Sequence, residues 1–117
     1  MIVDLPWPNK LLWPNGSEGS RAAKAAAKRK ARNDASWLAI QARKKHGLPE
    51  YGEGPIPVKL IVYAKPKGPL PDRDNCIAAV KVQLDAIAEQ IGVNDRRFAA
   101  PVVEFGTPRN GRIEVIL

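Results

Sequence analysis

The chain has 117 residues, room for one domain and not two. Its 44% hydrophobic and 26% charged residues supply a single modest core without the composition of a disordered chain. Nineteen Lys and Arg against twelve Asp and Glu give a net charge of +7, which points to an anionic polymer before a membrane surface. No apolar run approaches the ~18 to 20 residues of a transmembrane helix, and Met1-Ile2-Val3-Asp4 lacks the charged-then-apolar order of a signal peptide. The expectation is a cytoplasmic, nucleoid-associated protein without membrane contact. Cys76 and His46 are single, which excludes an intramolecular disulfide, a Cys/His zinc site, and any Ser-His-Asp triad that does not use His46.

Residues 2 to 8 predict a short strand ended by Pro6 and Pro8, because proline lacks the ladder donor and Pro8 restricts Trp7 to extended conformations. Residues 9 to 20 contain Trp13-Pro14-Asn15-Gly16 and Ser17-Glu18-Gly19-Ser20, turn chemistry that predicts a mobile loop. A helix of strong helix formers follows, with Ser20 as N-cap and Gly47-Leu48-Pro49 as its stop. Between Arg21 and Lys45 nine cations face Asp34 alone, so this segment carries +8 and the rest of the chain −1. At 100° per residue Ala23, Ala27, Ala31, Leu38 and Ala42 form one stripe, and Arg21, Lys28, Arg32 and Ala39 the next. A solvated basic surface is one reading of the second stripe. The scarcity of the opposite signs that i,i+4 pairing uses favours phosphate contact by Arg21, Lys24, Lys28, Arg29 and Arg32.

Residues 56 to 65 predict a strand with Val58, Leu60 and Val62 on one face, ended by Pro66, Gly68, Pro69 and Pro71. Ile77, Val80, Leu84, Ile87 and Ile91 then predict one amphipathic helix with Gly92 as C-cap. The segments 101–105 and 112–117 read as a β-hairpin about Arg109-Asn110-Gly111. The whole chain, 1–117, is thus expected to be a single α+β domain of order β-α-β-α-β-β, a mixed sheet with two helices packed on it.

Pro71-Asp72-Arg73-Asp74-Asn75 lies between the second strand and second helix. In an extended stretch residues i and i+2 project to one side, so Asp72 and Asp74 would present two carboxylates together, a pair that a hard divalent cation such as Mg²⁺ resolves. The plainer alternative is that Asp74 or Asn75 caps the helix and Asp72 is a turn residue. Asp95, in Gly92-Val93-Asn94-Asp95, is either an ordinary polar turn or, if the chain folds back towards the helix start, a third carboxylate of the site. Lys81 lies seven residues after Asp74, about 10.5 Å along the same helix face. It either reaches a phosphate, stabilising charge that develops in phosphoryl transfer, or forms an i,i+4 ion pair with Asp85.

Taken in order, Leu5-Pro6-Trp7-Pro8, the basic helix, Asp72-Arg73-Asp74-Asn75, Lys81, Asp85-Ala86-Ile87 and Gly92-Val93-Asn94-Asp95 closely resemble the RusA-type crossover junction endodeoxyribonucleases, small Holliday junction resolvases common in prophages. The resemblance runs from about residue 3 to the end of the chain. It implies a Mg²⁺-dependent homodimer, with Mn²⁺ an alternative metal, that cuts paired strands of a four-way DNA junction in recombination and repair. The family's metal-binding aspartates match Asp72, Asp74 and Asp95, and its catalytic lysine matches Lys81. In the family pattern that lysine stands four residues after the second aspartate, where this chain has Ala78. Aligning on Asp85-Ala86 restores Lys81 to register and implies three extra residues at the helix start. The alternatives are a non-catalytic basic DNA- or RNA-binding protein, whose carboxylates serve as caps and turns, and a nuclease for other branched DNA.

Overall fold

A computed structural model describes residues 1–14 and 19–117. Alternation builds its sheet. Strands β1 (Ile2–Pro6), β2 (Lys59–Tyr63) and β4 (Arg112–Ile116) each bury every second side chain, namely Val3 and Leu5, Leu60 and Val62, Ile113 and Val115. The intervening residues face away from the core, and four of them, Asp4, Lys59, Arg112 and Glu114, are charged. Arg112 bonds Asp4 at 2.9 Å and lies 3.8 Å over the Tyr63 ring, while Lys59 on β2 pairs with Glu104 at 3.2 Å.

The sheet order is β1-β4-β2-β3, with β3 spanning Val102–Phe105. β4 runs antiparallel to both neighbours, and β3 runs parallel to β2. The mixed α+β domain is as expected, but the terminal hairpin is not: β3 and β4 are not partners. Alternation and turn residues define strands without choosing their neighbours. Strand β4 instead takes the place between β1 and β2, and β3 lies at an edge with the outward-facing Val102 60% exposed.

Helix α1 spans Arg21–His46. Ser20 Oγ accepts from the Ala23 N–H at 3.0 Å, and Gly47, at φ 80°, ends the helix by donating to the Arg43 carbonyl at 2.8 Å. Twenty-six residues at ~1.5 Å each make a helix about as long as the molecule's longest dimension, 40 Å. Ala35 and Ala39 are fully buried, with Ala23, Ala27, Ala31, Leu38 and Ala42 half-buried alongside. Ala39 therefore belongs to the packed side and not to a free basic stripe. The predicted stripe of Arg21, Lys28 and Arg32 runs along the margin of that contact, where Arg32 meets Glu89 at 3.4 Å and Arg43 donates to the Gln90 carbonyl at 2.9 Å.

The predicted second helix is two: α2 (Arg73–Ala79) and α3 (Lys81–Ile91), divided at Val80, whose φ of −103° and ψ of 7° interrupt the helical run. The apolar spacing is continuous because both segments pack on the same core, with Val80 and Ile87 fully buried. Buried Gln83, with its amide oriented to donate, offers its nitrogen to the carbonyls of Ala79 and Val80 at 3.2 and 3.3 Å, beside the Leu84 N–H that Val80 also accepts at 2.9 Å. The sequence 9–20 contributes a 3₁₀ turn, Lys10–Leu12, capped by Asn9; the part of the predicted mobile loop at 15–18 lies outside the described residues.

Candidate functional site

Asp72 is extended at φ −65°, ψ 141°, and its Oδ1 accepts from the N–H groups of Asp74 at 2.8 Å and Asn75 at 3.4 Å. The capping role therefore falls to Asp72, and not to Asp74 or Asn75. Asp74 sits exposed in the first turn of α2, where an anion is favoured by the unpaired N–H groups of a helix start. Since Asp74 is helical, the expected i,i+2 projection of both carboxylates from one extended stretch does not hold. Arg73 fastens this corner to the sheet edge, donating to the Val103 carbonyl at 3.3 Å with its guanidinium 4.8 Å over Phe105.

Beyond α3, Gly92 turns the chain at φ 75°, and Val93 donates back to the Ala88 carbonyl at 3.0 Å. The chain does fold back along the helix. A 3₁₀ turn, Asp95–Arg97, capped by Asn94, brings Asp95 within 3.7 Å of Lys81 Nζ, and Lys81 lies 2.9 Å from Asp85. Two carboxylates thus share one ammonium, whose pKa is raised first by its hydrogen bond to Asp85 and further by the charges of Asp85 and Asp95. The break at Val80 explains where this return ends. Asp95 reaches the first turn of α3, and the helix-face argument linking Lys81 to Asp74 fails because the two residues occupy different helices.

Asp85, expected only as an ion-pair partner of Lys81, also lines an open cleft of about 380 Å³ with Arg32, Glu89, Asn94 and Asp95. Arg32 joins this cleft to the basic helix. Lys28 lies one turn before it, and Arg21 lies eleven residues earlier, three turns along the same flank. Among the described residues Arg21, Lys24, Lys28 and Arg29 form no ion pair; Lys24 is half-buried and the other three are exposed. Arg32, in contrast, is already engaged by Glu89.

The donor type of Asp72, Asp74 and Asp95 suits a hard cation that takes oxygen ligands. Their placement is less complete: among the described residues no three His, Cys, Asp or Glu side chains form a group able to hold a metal ion. Asp95 joins Lys81, while Asp72 and Asp74 remain together at the start of α2. The fit to a metal is one of ligand chemistry and not of an assembled three-carboxylate centre.

Among the described residues no helix is long and apolar enough to cross a membrane. No family model matches the chain. An uncharacterized protein of Xylella fastidiosa (strain Temecula1 / ATCC 700964) is 35% identical over 117 residues, covering 98% of this chain and 74% of that protein. At that identity and coverage the chain belongs to the same family as this Xylella fastidiosa protein.

Proposed function

We propose that the protein is a Mg²⁺-dependent, structure-selective DNA endonuclease that resolves four-way junctions by phosphodiester hydrolysis. The carrying observation is the return of residues 93 to 95, which pairs Asp95 with Lys81 and sets Asp95 with Asp85 in a cleft that Arg32 of the basic helix also lines. The break at Val80 supports the register of the RusA-type resemblance. The extra residues between Asp74 and Lys81 are taken up in a separate short helix, and Lys81 opens a new one with Asp85 a single turn away.

In this reading Arg21, Lys24, Lys28 and Arg29 hold backbone phosphates, giving affinity with little sequence information and a steep salt dependence. Lys81 places its ammonium where negative charge develops on the scissile phosphate, and Asp85 holds that ammonium in position and protonated. Asp72 and Asp74, together at the start of α2, would be the carboxylates that hold Mg²⁺, while Asp95 stays on Lys81; the ion when bound would supply an activated water and neutralise charge on the phosphate oxygens. Symmetric cutting of two strands needs two sites, and one chain offers one, so the working unit is a homodimer at the DNA of the nucleoid.

The test is incubation with a labelled four-way junction and with linear duplex, each with Mg²⁺ and with chelator. Metal-dependent cutting of the junction is expected, with Asp74→Asn binding but not cutting. Binding unchanged by metal and without cleavage would establish instead the non-catalytic DNA-binding reading, in which Asp72 is only a cap and Lys81–Asp85 only an ion pair. Faster cutting of flapped or bulged DNA than of four-way junctions would reassign the natural substrate.

A further inference from the structure

Trp7 and Trp13 lie outside the machinery described above. Their ring centroids are 5.3 Å apart at 31°, and the Trp13 indole N–H donates to the Pro8 carbonyl at 3.3 Å, which fixes the ring's orientation. Both are only half-buried, and both wall an open cleft of about 240 Å³ that Lys65, Lys67, Pro69 and Pro71 complete. The cleft is smaller than the ~300 to 1,000 Å³ of pockets that enclose whole drug-sized ligands, which matches it to one planar group. Among the described residues no acidic side chain lines it, and neither exposed lysine forms an ion pair. Pro71 is covalently joined to Asp72, so the cleft abuts the start of α2.

We infer that this cleft is a stacking subsite for a single unpaired DNA base, with Lys65 and Lys67 on the phosphates that flank it. Indole faces accept any base, and two free ammonium groups beside them match the backbone charge on either side of a base turned out of its stack. The inference rests on the DNA-endonuclease reading. It adds that the protein distinguishes branched from continuous DNA by an unpaired base, at a place separate from the α1 cations that grip duplex.

The test uses a Trp37→Phe background, so that emission comes from Trp7 and Trp13 alone, with chelator present to prevent cutting. A four-way junction and a short oligothymidylate are expected to quench this emission, while fully paired duplex binds without quenching. Trp7→Leu should weaken oligothymidylate binding about tenfold. Because that variant disturbs a ring packed against the core, Lys65→Ser/Lys67→Ser on the exposed loop provides a second measure. It should lower the salt slope for oligothymidylate by about 1.4 and leave duplex binding within about twofold. Junction binding or cleavage with unchanged emission, or a double variant that loses affinity for duplex and single strand equally, overturns this inference and leaves the nuclease reading intact. Failure to bind any DNA overturns both.

Discussion

Replacing Lys81 with alanine separates a structural ion pair from a catalytic ammonium. The Lys81 side chain is 63% exposed, 2.9 Å from Asp85 and 3.7 Å from Asp95. At such exposure an ion pair contributes about 0.2 to 1 kcal/mol, and alanine recovers part of this through its better helix propensity. The net loss should stay below about 1 kcal/mol, a fall in Tm of no more than about 6 °C for a chain of this size. Cleavage should respond on another scale: an ammonium lost from developing phosphate charge costs about 10² to 10³ in rate, as for other preorganised donors. Junction affinity should move less than about threefold, because the α1 cations proposed to hold phosphate are untouched. The assay is single-turnover cleavage of a labelled junction with protein in excess, accompanied by anisotropy and a thermal melt. The ion pair also predicts a pH dependence. Since the folded ammonium pKa is raised above its ordinary 10.5, its stabilising contribution is complete below that value and is lost as pH rises through the folded value. Alanine should remove that alkaline component and change nothing near neutrality. Cutting within threefold of the parent rate would show Lys81 to be an ion-pair residue only.

Glutamate at Lys28 and Arg29 should weaken binding to junction and duplex alike and lower the salt slope by about 2; unchanged duplex affinity at low salt would remove α1 from the interface. Cys76 is fully buried, and burial, with the Asp72 carboxylate nearby, pushes its thiol up to about 11. Only about a thousandth is thiolate at pH 8, so iodoacetamide should leave the folded protein unmodified and alkylate it in denaturant. Native alkylation at the rate of a free thiol would contradict the burial. The same raised thiol stabilises the fold below its ordinary value of 9.0 and stops doing so as pH climbs through about 11. Gly106→Ala places a methyl 2.6 Å from Tyr63 Cε1 and 2.9 Å from Ile61 Cγ2; forcing these side chains aside should cost about 1 to 3 kcal/mol in denaturant unfolding, and a neutral result would show that the sheet edge yields easily.

Local chemistry was legible wherever one short stretch decides the outcome. Ser20 and Gly47 bound α1, Gly92 ends α3, and Val58, Leu60 and Val62 share the buried face, all as their residue types require. Partner choice was not legible. Val102–Phe105 and Arg112–Ile116 read as strands, but a central position for β4 depends on what lies on both sides of it, which no turn motif encodes. The division at Val80 was hidden because a kinked pair of helices packed on one core preserves the apolar spacing of a single helix, and its stitch is a Gln83 amide with no periodic signature. The site inherits both facts. Asp95 joining Lys81 follows from a legible C-cap, whereas the separation of Lys81 from Asp74 follows from the hidden break.

The central place of β4 sets the order in which the molecule can assemble. Ile2 faces Ile116 and Lys59 faces that same residue from the other side, so until residues 112–116 arrive, neither β1 nor its counterpart β2 has its antiparallel neighbour. Closing a loop of more than a hundred residues precedes any reward from the β1 ladder, which favours slow, concerted folding over stepwise growth from the first strand. Before that moment the early strand and α1 present their apolar sides without a sheet to cover them, and a chain shortened by its last strand loses two ladders at once. The scaffold that carries the proposed site is therefore all or none with respect to the five residues of β4, none of which lines that site.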